Sequence, residues 1–370
     1  MSEEGIVWVD FDTMERFMVD VLVKVDVPKE DAKIIADVLI KADKLGIDSH
    51  GMNRLKPIYV DRIQAGIVNP VTKMEVVRES PATAVIDGHN GMGHVISKKA
   101  MEMAIDRAKK YGLGMTAVRN SSHYGIAGYY PLMAVDEGMI GITGTNARPS
   151  IAPTFGVENM LGTNPLTFAM PTDEEFPFFL DCATSVSQRG KIEVYAKLGR
   201  EMPQGWVVRQ DGTTSTDPNQ VLKDLVAGTA ALVPVGGIGE DTGGYKGYGY
   251  ATVVEILSAA LQGGGFMKML TGLDESGKKR PYNLGHFFMA INVEHFIEPS
   301  EFRNISGEIL RQLRNSKLMP GAEKIYTPGE KEWIAWNERK EKGVPLNSEL
   351  QKEVKTLIRE LGVEGYDFPF

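Results

Sequence analysis

Cysteine is nearly absent. A single thiol, Cys182, stands in 370 residues, which excludes an intrachain disulfide and any multi-cysteine zinc or iron–sulfur site and points to a reducing compartment. Long apolar runs are missing: no stretch approaches the roughly 18 consecutive apolar residues of a membrane-spanning helix, and Met1-Ser2-Glu3-Glu4 is acidic where a secretory leader is basic, then apolar. Basic clusters are lacking too. Lysine and arginine number 41 against 49 acidic residues, a net charge of −8 with no polybasic run, which disfavours nucleic acid and anionic membrane as partners. There is no Walker A string and no G-x-S-x-G elbow. Glycine, by contrast, is abundant at 40 residues, beside 19 prolines, and this density of turns suits alternating strands and helices. The expectation is a cytoplasmic globular protein with one large or two ordinary domains, since single cores stop growing near roughly 250–300 residues.

Hydrophobic periodicity predicts two helices over residues 12–46. Asp12 and Glu15 form a variant capping box, Met14, Phe17, Met18, Val21 and Leu22 recur at helical spacing, and Pro28 opens the second helix. A third helix is expected over 57–66. The period then changes to two, predicting strands at 74–79 and 83–87. Ser97 reads as the cap of a helix that ends at Gly112, with strands following at 115–118, 139–143, 166–170 and 178–182. Residues 200–219, polar and rich in Gly, Pro and Thr, read as a surface excursion. A helix over 247–262, a buried strand over 285–293 and helices over 299–315 and 346–361 complete the chain.

Gly112-Leu113-Gly114-Met115-Thr116-Ala117 has the spacing of the dinucleotide fingerprint, but that motif needs a strand before it and a helix after it. Here the order is reversed, so these glycines read as a helix cap and turn. Three other glycine-flanked clusters carry chemistry. In Asp48-Ser49-His50-Gly51-Met52-Asn53-Arg54 an imidazole is followed four residues on by a guanidinium, and on a helix the two share a face. A 2-oxo acid needs both functions: a fork of donors for its carboxylate and a proton donor for its carbonyl. A helix cap and a solvated arginine would use the same residues, and the sequence leaves both open. In Asn120-Ser121-Ser122-His123-Tyr124-Gly125, small residues after a strand let a ligand approach the backbone, with His123 as a second acid/base candidate or a hydrogen-bonded turn histidine. His89, His94, His286 and His295 read as histidines satisfied by hydrogen bonds. In Asp181-Cys182-Ala183-Thr184-Ser185, Asp181 can accept from ribose hydroxyls and Cys182 reads as a small buried side chain; Arg189 and Lys191 beyond it suit a second carboxylate, or form a basic surface turn. Gly243-Gly244-Tyr245-Lys246-Gly247 opens a helix and offers Lys246 to an anion.

Together with Gly162-Thr163-Asn164-Pro165, these strings occur in one order along nearly the whole chain, and in that order the sequence resembles the type-2 malate/L-lactate dehydrogenase family, which includes sulfolactate and ureidoglycolate dehydrogenases and a cyclic imino acid reductase. The resemblance implies an α/β protein whose NAD(P)-binding domain, residues 73–296, is not a Rossmann fold, with a helical domain built from residues 1–72 and 297–370. It implies a homodimer with the active site near the interface, NAD as cofactor with NADP possible, and no metal. Ser49 and His50 look like the catalytic pair and Arg54 like the carboxylate clamp; His123 is catalytic in some members and a cofactor contact in others. Thr163, Arg189, Gly190 and Lys191 would lie beside the substrate. The dinucleotide would meet Tyr124, Gly125, Ile126, Ala127, Asp181, Cys182, Ala183, Lys246, residues 234–237, Pro320, Gly321 and Glu323. The implied reaction is reversible hydride transfer between malate and oxaloacetate. Lactate, sulfolactate or ureidoglycolate are alternatives within the family; a metal-assisted hydrolase using His50, His123 and Asp181, or a non-catalytic dinucleotide-binding protein, are rivals outside it.

Overall fold

The computed structural model of the chain describes residues 5–370; the acidic Met1-Ser2-Glu3-Glu4 stretch lies outside them. β1 (Val7–Val9) leads into α1 (Phe11–Val23) and α2 (Lys29–Lys44). The helix pair forms, but its cap is Asp10 and not Asp12: Asp10 accepts the Thr13 N–H at 2.8 Å, because Phe11 already belongs to the buried face of α1. In place of one helix over 57–66 the chain winds through a 3-10 turn (Met52–Arg54), a π-helical turn (Leu55–Val60) and α3 (Asp61–Gln64).

β2 (Glu75–Glu79) and β3 (Thr83–Asp87) precede α4 (Gly93–Tyr111) and β4 (Leu113–Ser121). Ser97 does not cap α4. It is buried within the helix, which starts at Gly93, where a Cβ would lie 2.3 Å from the Ser122 carbonyl oxygen. Gly112, at φ +81°, closes α4 and β4 begins at the next residue, so the fingerprint-like glycines are a helix cap and turn. α5 (Tyr129–Asp136), β5 (Ile140–Thr145), β6 (Leu166–Met170) and β7 (Phe178–Cys182) follow. Next come α6 (Arg189–Lys197), β8 (Val207–Arg209), α7 (Pro218–Ala227) and β9 (Ala230–Leu232). The chain ends with α8 (Gly244–Ala259), β10 (Leu284–Ile291), α9 (Pro299–Arg314), α10 (Glu330–Arg339), β11 (Val344–Leu346) and α11 (Ser348–Leu361).

Seven strands form one mixed sheet in the order β2-β3-β4-β10-β5-β6-β7, in which only the β3–β4 pair is parallel. α4 and α5 cover one face. Thr116 of β4 donates to the Ala100 carbonyl of α4 at 3.0 Å, and a Cβ on Gly114 would lie 2.0 Å from the Ala104 carbonyl oxygen. α8 covers the opposite face, where Gly285 of β10 leaves room for the Ser258 carbonyl. A separate core joins the two ends of the chain: Met14, Phe17 and Leu22 of α1 and Ile35 and Leu39 of α2 pack with Val354 and Leu357 of α11, while β1 pairs with β11. Removing such side chains from water contributes roughly 1.5–3 kcal/mol each.

Residues 200–219 are not merely a surface excursion. Met202 and Val207 are buried with Ile192, Val221 and Leu232 in a small satellite core under α6 and α7. The apolar positions are too few and too short-spaced to register as a period against the surrounding Gly, Pro and Thr. No helix among the described residues is long and apolar enough to cross a membrane.

Candidate active site

One end of the seven-stranded sheet gathers the loops that matter. β4, β5 and β7 end there and β6 and β10 begin there, since Leu284 pairs with Ser121, His286 with Thr145 and Leu166 with Cys182. The loops at these strand ends, the 47–50 turn after α2 and one residue of α10 enclose a cavity of about 220 Å³. Of the residues expected to form the site, Ser49, His50, Thr163, His123, Tyr124, Gly125, Ile126, Ala127, Asp181 and Ala183 line it. They come from four separate sequence strings.

His50 and His123 face one another with nearly parallel rings, centroids 5.7 Å apart at 12°. Ser49 Oγ lies 2.8 Å from His50 Nδ1, which leaves the Nε2 edge of His50 for the cavity. Burial, reinforced by the Arg54 guanidinium, lowers the His50 pKa to about 4, so its imidazole is neutral around pH 7. His123 is also held well below its usual range, by burial first and then by His50, His94 and two arginines. The turn that carries His50 is fixed from beneath. Asp43, buried near the end of α2, accepts the Met52 N–H at 2.9 Å, and Gly51 passes so close that a Cβ would lie 1.8 Å from Asp43 Oδ1. Arg339 of α10 forks onto Asp48 at 2.5 and 3.0 Å and donates to the Asp43 carbonyl at 2.7 Å.

The second cluster is tightened by Gly125, at φ +79°, where a Cβ would sit 2.5 Å from Val38 Cγ1. Asp181 accepts the Gly128 N–H at 2.7 Å and the Thr167 hydroxyl at 3.1 Å, which ties the end of β7 to the start of α5; burial raises its pKa. Tyr124 stacks on His286, centroids 4.5 Å apart. Three of the four histidines read as hydrogen-bonded differ in outcome. His89 meets Glu75 at 3.0 Å and His286 meets Thr145 Oγ1 at 2.7 Å, but His94 is buried with neither ring nitrogen partnered among the described residues. It instead packs edge-on to Tyr59, 4.6 Å between centroids, and burial lowers its pKa to about 3.

Other expected residues stand outside the cavity lining. Arg54 is half-buried beside the His50 turn and donates through Nε to the Ser49 carbonyl at 2.5 Å. Cys182 is exposed and not buried, since it ends the edge strand of the sheet. Arg189 pairs with Glu193 at 2.9 Å, Gly190 is open to solvent, and Lys191 lies over the Trp206 ring at 5.0 Å. Lys246 opens a separate depression with Gly236, Glu240 and Asp241. Pro320, Gly321 and Glu323 lie in an exposed segment.

The cavity also contains residues the sequence did not single out, among them Thr145, Asn146, Gln188, Leu284 and Glu332. Polar residues directly after the 139–143 strand were the one available signal for Thr145 and Asn146; nothing local marks Glu332, which α10 delivers from far along the chain. Among the described residues no group of three His, Cys, Asp or Glu side chains is placed to hold a metal ion.

The sequence matches the malate/L-lactate dehydrogenase family over residues 9–355. It is 45% identical to a malate dehydrogenase of Pyrococcus abyssi, across 99% of this chain and 98% of that one. It is 40% identical to an L-sulfolactate dehydrogenase of Methanocaldococcus jannaschii, across 96% and 97%. The crystal structure of malate dehydrogenase from Entamoeba histolytica superposes with a TM-score of 0.94 at 44% identity, covering 99% of this chain and all of that one. With its histidine-lined cavity at the end of a mixed sheet, the chain belongs to the malate/L-lactate dehydrogenase family.

Proposed function

We propose that the chain catalyses reversible hydride transfer between a nicotinamide cofactor and a 2-hydroxy acid, with malate and oxaloacetate as the preferred pair. The observation that carries this reading is the neutral His50, backed by Ser49 and facing His123 in a cavity beside Arg54. A neutral imidazole accepts the alcohol proton as hydride leaves C2, and returns it to the carbonyl oxygen in reduction. Arg54 spends Nε on the Ser49 carbonyl, and its two terminal nitrogens, unpartnered among the described residues, are assigned to the 2-carboxylate. Thr163 orients the same substrate, and Arg189, Gly190 and Lys191 at the start of α6 are assigned to its second acidic group. Malate is preferred because relatives named malate dehydrogenase match at full length. Sulfolactate is the second reading, since two cations on α6 suit a sulfonate as well as a carboxylate and a 40%-identical relative bears that name.

The cavity fits the reacting end of a nicotinamide dinucleotide. Its wall from Tyr124 to Ala127 is main chain drawn close by Gly125, and Asp181 and Thr145 offer partners for hydroxyl and amide groups. When bound, the cofactor supplies the hydride donor or acceptor at its nicotinamide ring. About 220 Å³ is too little for substrate and a whole dinucleotide, so the adenosine half is assigned to the outer surface, with Lys246 facing its charge. NAD is the preferred form, supported by Glu240 and Asp241 beside Lys246 in the outer depression, whose carboxylates disfavour a further phosphate there. On the C-terminal segment, Glu332 is a stronger candidate contact than Pro320, Gly321 and Glu323, which do not line the cavity.

The cofactor-binding unit, 73–296, is proposed as a non-Rossmann fold because its sheet is antiparallel but for one pair. A helical unit of 1–72 with 297–370 is supported by the core shared between α1, α2 and α11. A homodimer is supported by α8, whose outer side exposes Tyr250, Val253 and Ile256, with Leu261 exposed just beyond its end. Its cytoplasmic setting is supported by the lone exposed thiol of Cys182.

The test is the fall in nicotinamide absorbance with NADH or NADPH and, in turn, oxaloacetate, pyruvate, sulfopyruvate and oxalurate. His50→Ala should lower kcat by about a thousandfold, and Arg54→Ala should chiefly raise KM. Full turnover by His50→Ala would remove His50 from the mechanism.

A further inference from the structure

Tyr59 lies in the π-helical turn Leu55–Val60, a rare type of winding that is frequent at functional sites. It is buried, and its hydroxyl sits 2.7 Å from His123 Nδ1. The Gly125 N–H is aimed at the same nitrogen, at 3.3 Å. A hydroxyl can donate or accept, but a backbone N–H only donates. Nδ1 therefore carries the lone pair, Tyr59 adds its own proton to that side, and the ring proton resides on Nε2. With Nδ1 turned inward, Nε2 is the edge left for the cavity, and it has no protein partner among the described residues.

We infer that Tyr59 is a positioning residue that, together with the Gly125 N–H, holds His123 as the neutral Nε2–H tautomer, so that His123 acts as an uncharged hydrogen-bond donor and leaves proton exchange to His50. This division of labour rests on the hydride-transfer reading above, but the tautomer itself does not. An imidazolium at His123 would place a second proton on Nδ1, opposite the Gly125 N–H, in a group already faced by His50, His94, Arg54 and Arg62. The neutral ring avoids that conflict. A neutral donor can bind a carbonyl oxygen and strengthen its hold as negative charge develops there, without exchanging a proton with it. His50 has no such pair of donors: its Nδ1 has only the Ser49 hydroxyl, which can turn to give or accept a hydrogen bond. That ring alone is free to change protonation state.

The experiment is long-range proton–nitrogen NMR of the full-length protein labelled with nitrogen-15 histidine, with the His123 signals assigned by their loss in His123→Gln. The expected pattern from about pH 6 to about pH 9 is a bare Nδ1 and a protonated Nε2, and Tyr59→Phe, which removes the 2.7 Å contact and leaves Nδ1 only the long Gly125 N–H at 3.3 Å, should let the other tautomer appear. A protonated Nδ1 in the unaltered protein, or an unchanged pattern in Tyr59→Phe, overturns the proposal. Kinetics give the second readout. His123→Gln keeps an uncharged N–H donor and should retain kcat within about tenfold, with its pH limbs in place, whereas His50→Gln should abolish turnover; Tyr59→Phe should lower kcat about tenfold with little change in KM. If His123→Gln removes a pH limb and falls as far as His50→Gln, His123 exchanges the proton and the division of labour is wrong. If no 2-oxo acid is turned over at all, the hydride-transfer reading fails, and the spectra still decide the tautomer.

Discussion

Replacing Asp43 by asparagine should make the protein more stable at alkaline pH and leave it unchanged at acid pH. Asp43 is 3% exposed, near the C-terminal end of α2, where the helix dipole is negative. Burial is the largest influence on it; the Met52 N–H and Arg339 oppose burial and Asp48 adds to it, and the result is a carboxyl raised from 3.8 to about 8. The folded protein thus binds a proton that the unfolded chain has lost between these two values, so this group's contribution to stability is complete below about pH 4 and falls as pH rises towards 8. Each pH unit in that window costs ~1.4 kcal/mol, a ceiling of ~6 kcal/mol, and rearrangement of Arg339 towards the ionised carboxylate returns part of it. Asparagine has the same shape, keeps an oxygen for the Met52 N–H, and carries no charge to desolvate. The assay is urea unfolding of both proteins at about pH 4 and about pH 8.5, where the expected difference is near zero in the first case and ~2 kcal/mol or more in favour of Asp43→Asn in the second. Comparing the two proteins at each pH cancels the titration of every other group. Equal destabilisation of Asp43→Asn at both pH values would refute the reasoning, because it would mean that Asp43 is ionised in the fold and paired with Arg339.

Two further outcomes follow from the same turn. Gly51→Ala puts a Cβ 1.8 Å from Asp43 Oδ1, so the Ser49–His50 turn must shift; kcat should fall by about a hundredfold with the far-ultraviolet dichroism unchanged, and normal kcat would show that the turn is free to move. Because the His50 pKa is lowered to about 4, kcat/KM for hydroxy acid oxidation, corrected for the substrate's own carboxyls, should stay level from neutral pH down to about pH 5 and fall below it; a limb near the ordinary histidine value would show that His50 is solvated in the free enzyme.

The parts of the fold legible in the sequence were those whose periods run long enough to register. α1, α2, β6, β7 and α9 fall close to their expected limits, because each presents a repeating apolar face or a bounded apolar run. No limits were expected for α5, α6, α7 or α10. α5 is eight residues with apolar side chains on most sides, and α6 and α10 are short and charged, so none offers a clear stripe. Ser97 misled because a serine before an apolar run resembles a cap, while the true start at Gly93 depends on contact with the Ser122–His123 backbone. Within the candidate site, Ser49, His50, His123 and Asp181 were legible because small or glycine-rich neighbours set them off. Tyr59 and Glu332 were not, for Tyr59 lies in a segment that reads as an ordinary helix and Glu332 in the short, charged α10, which shows no clear pattern.

By itself, then, the sequence determined which chemical groups are available and their order along the chain: two histidines in glycine-flanked turns, an arginine near one of them, an acid at a strand end. It also ruled out disulfide frameworks and multi-cysteine metal sites by what it lacks. Tertiary structure decided the state of those groups. The charge on a side chain depends on the water removed from around it and on the donors pointed at it, and both come from residues distant in sequence. His50 becomes neutral because folding buries it beside Arg54, Asp43 because α2 ends beneath Gly51, and His123 Nδ1 meets the hydroxyl of Tyr59, sixty-four positions away.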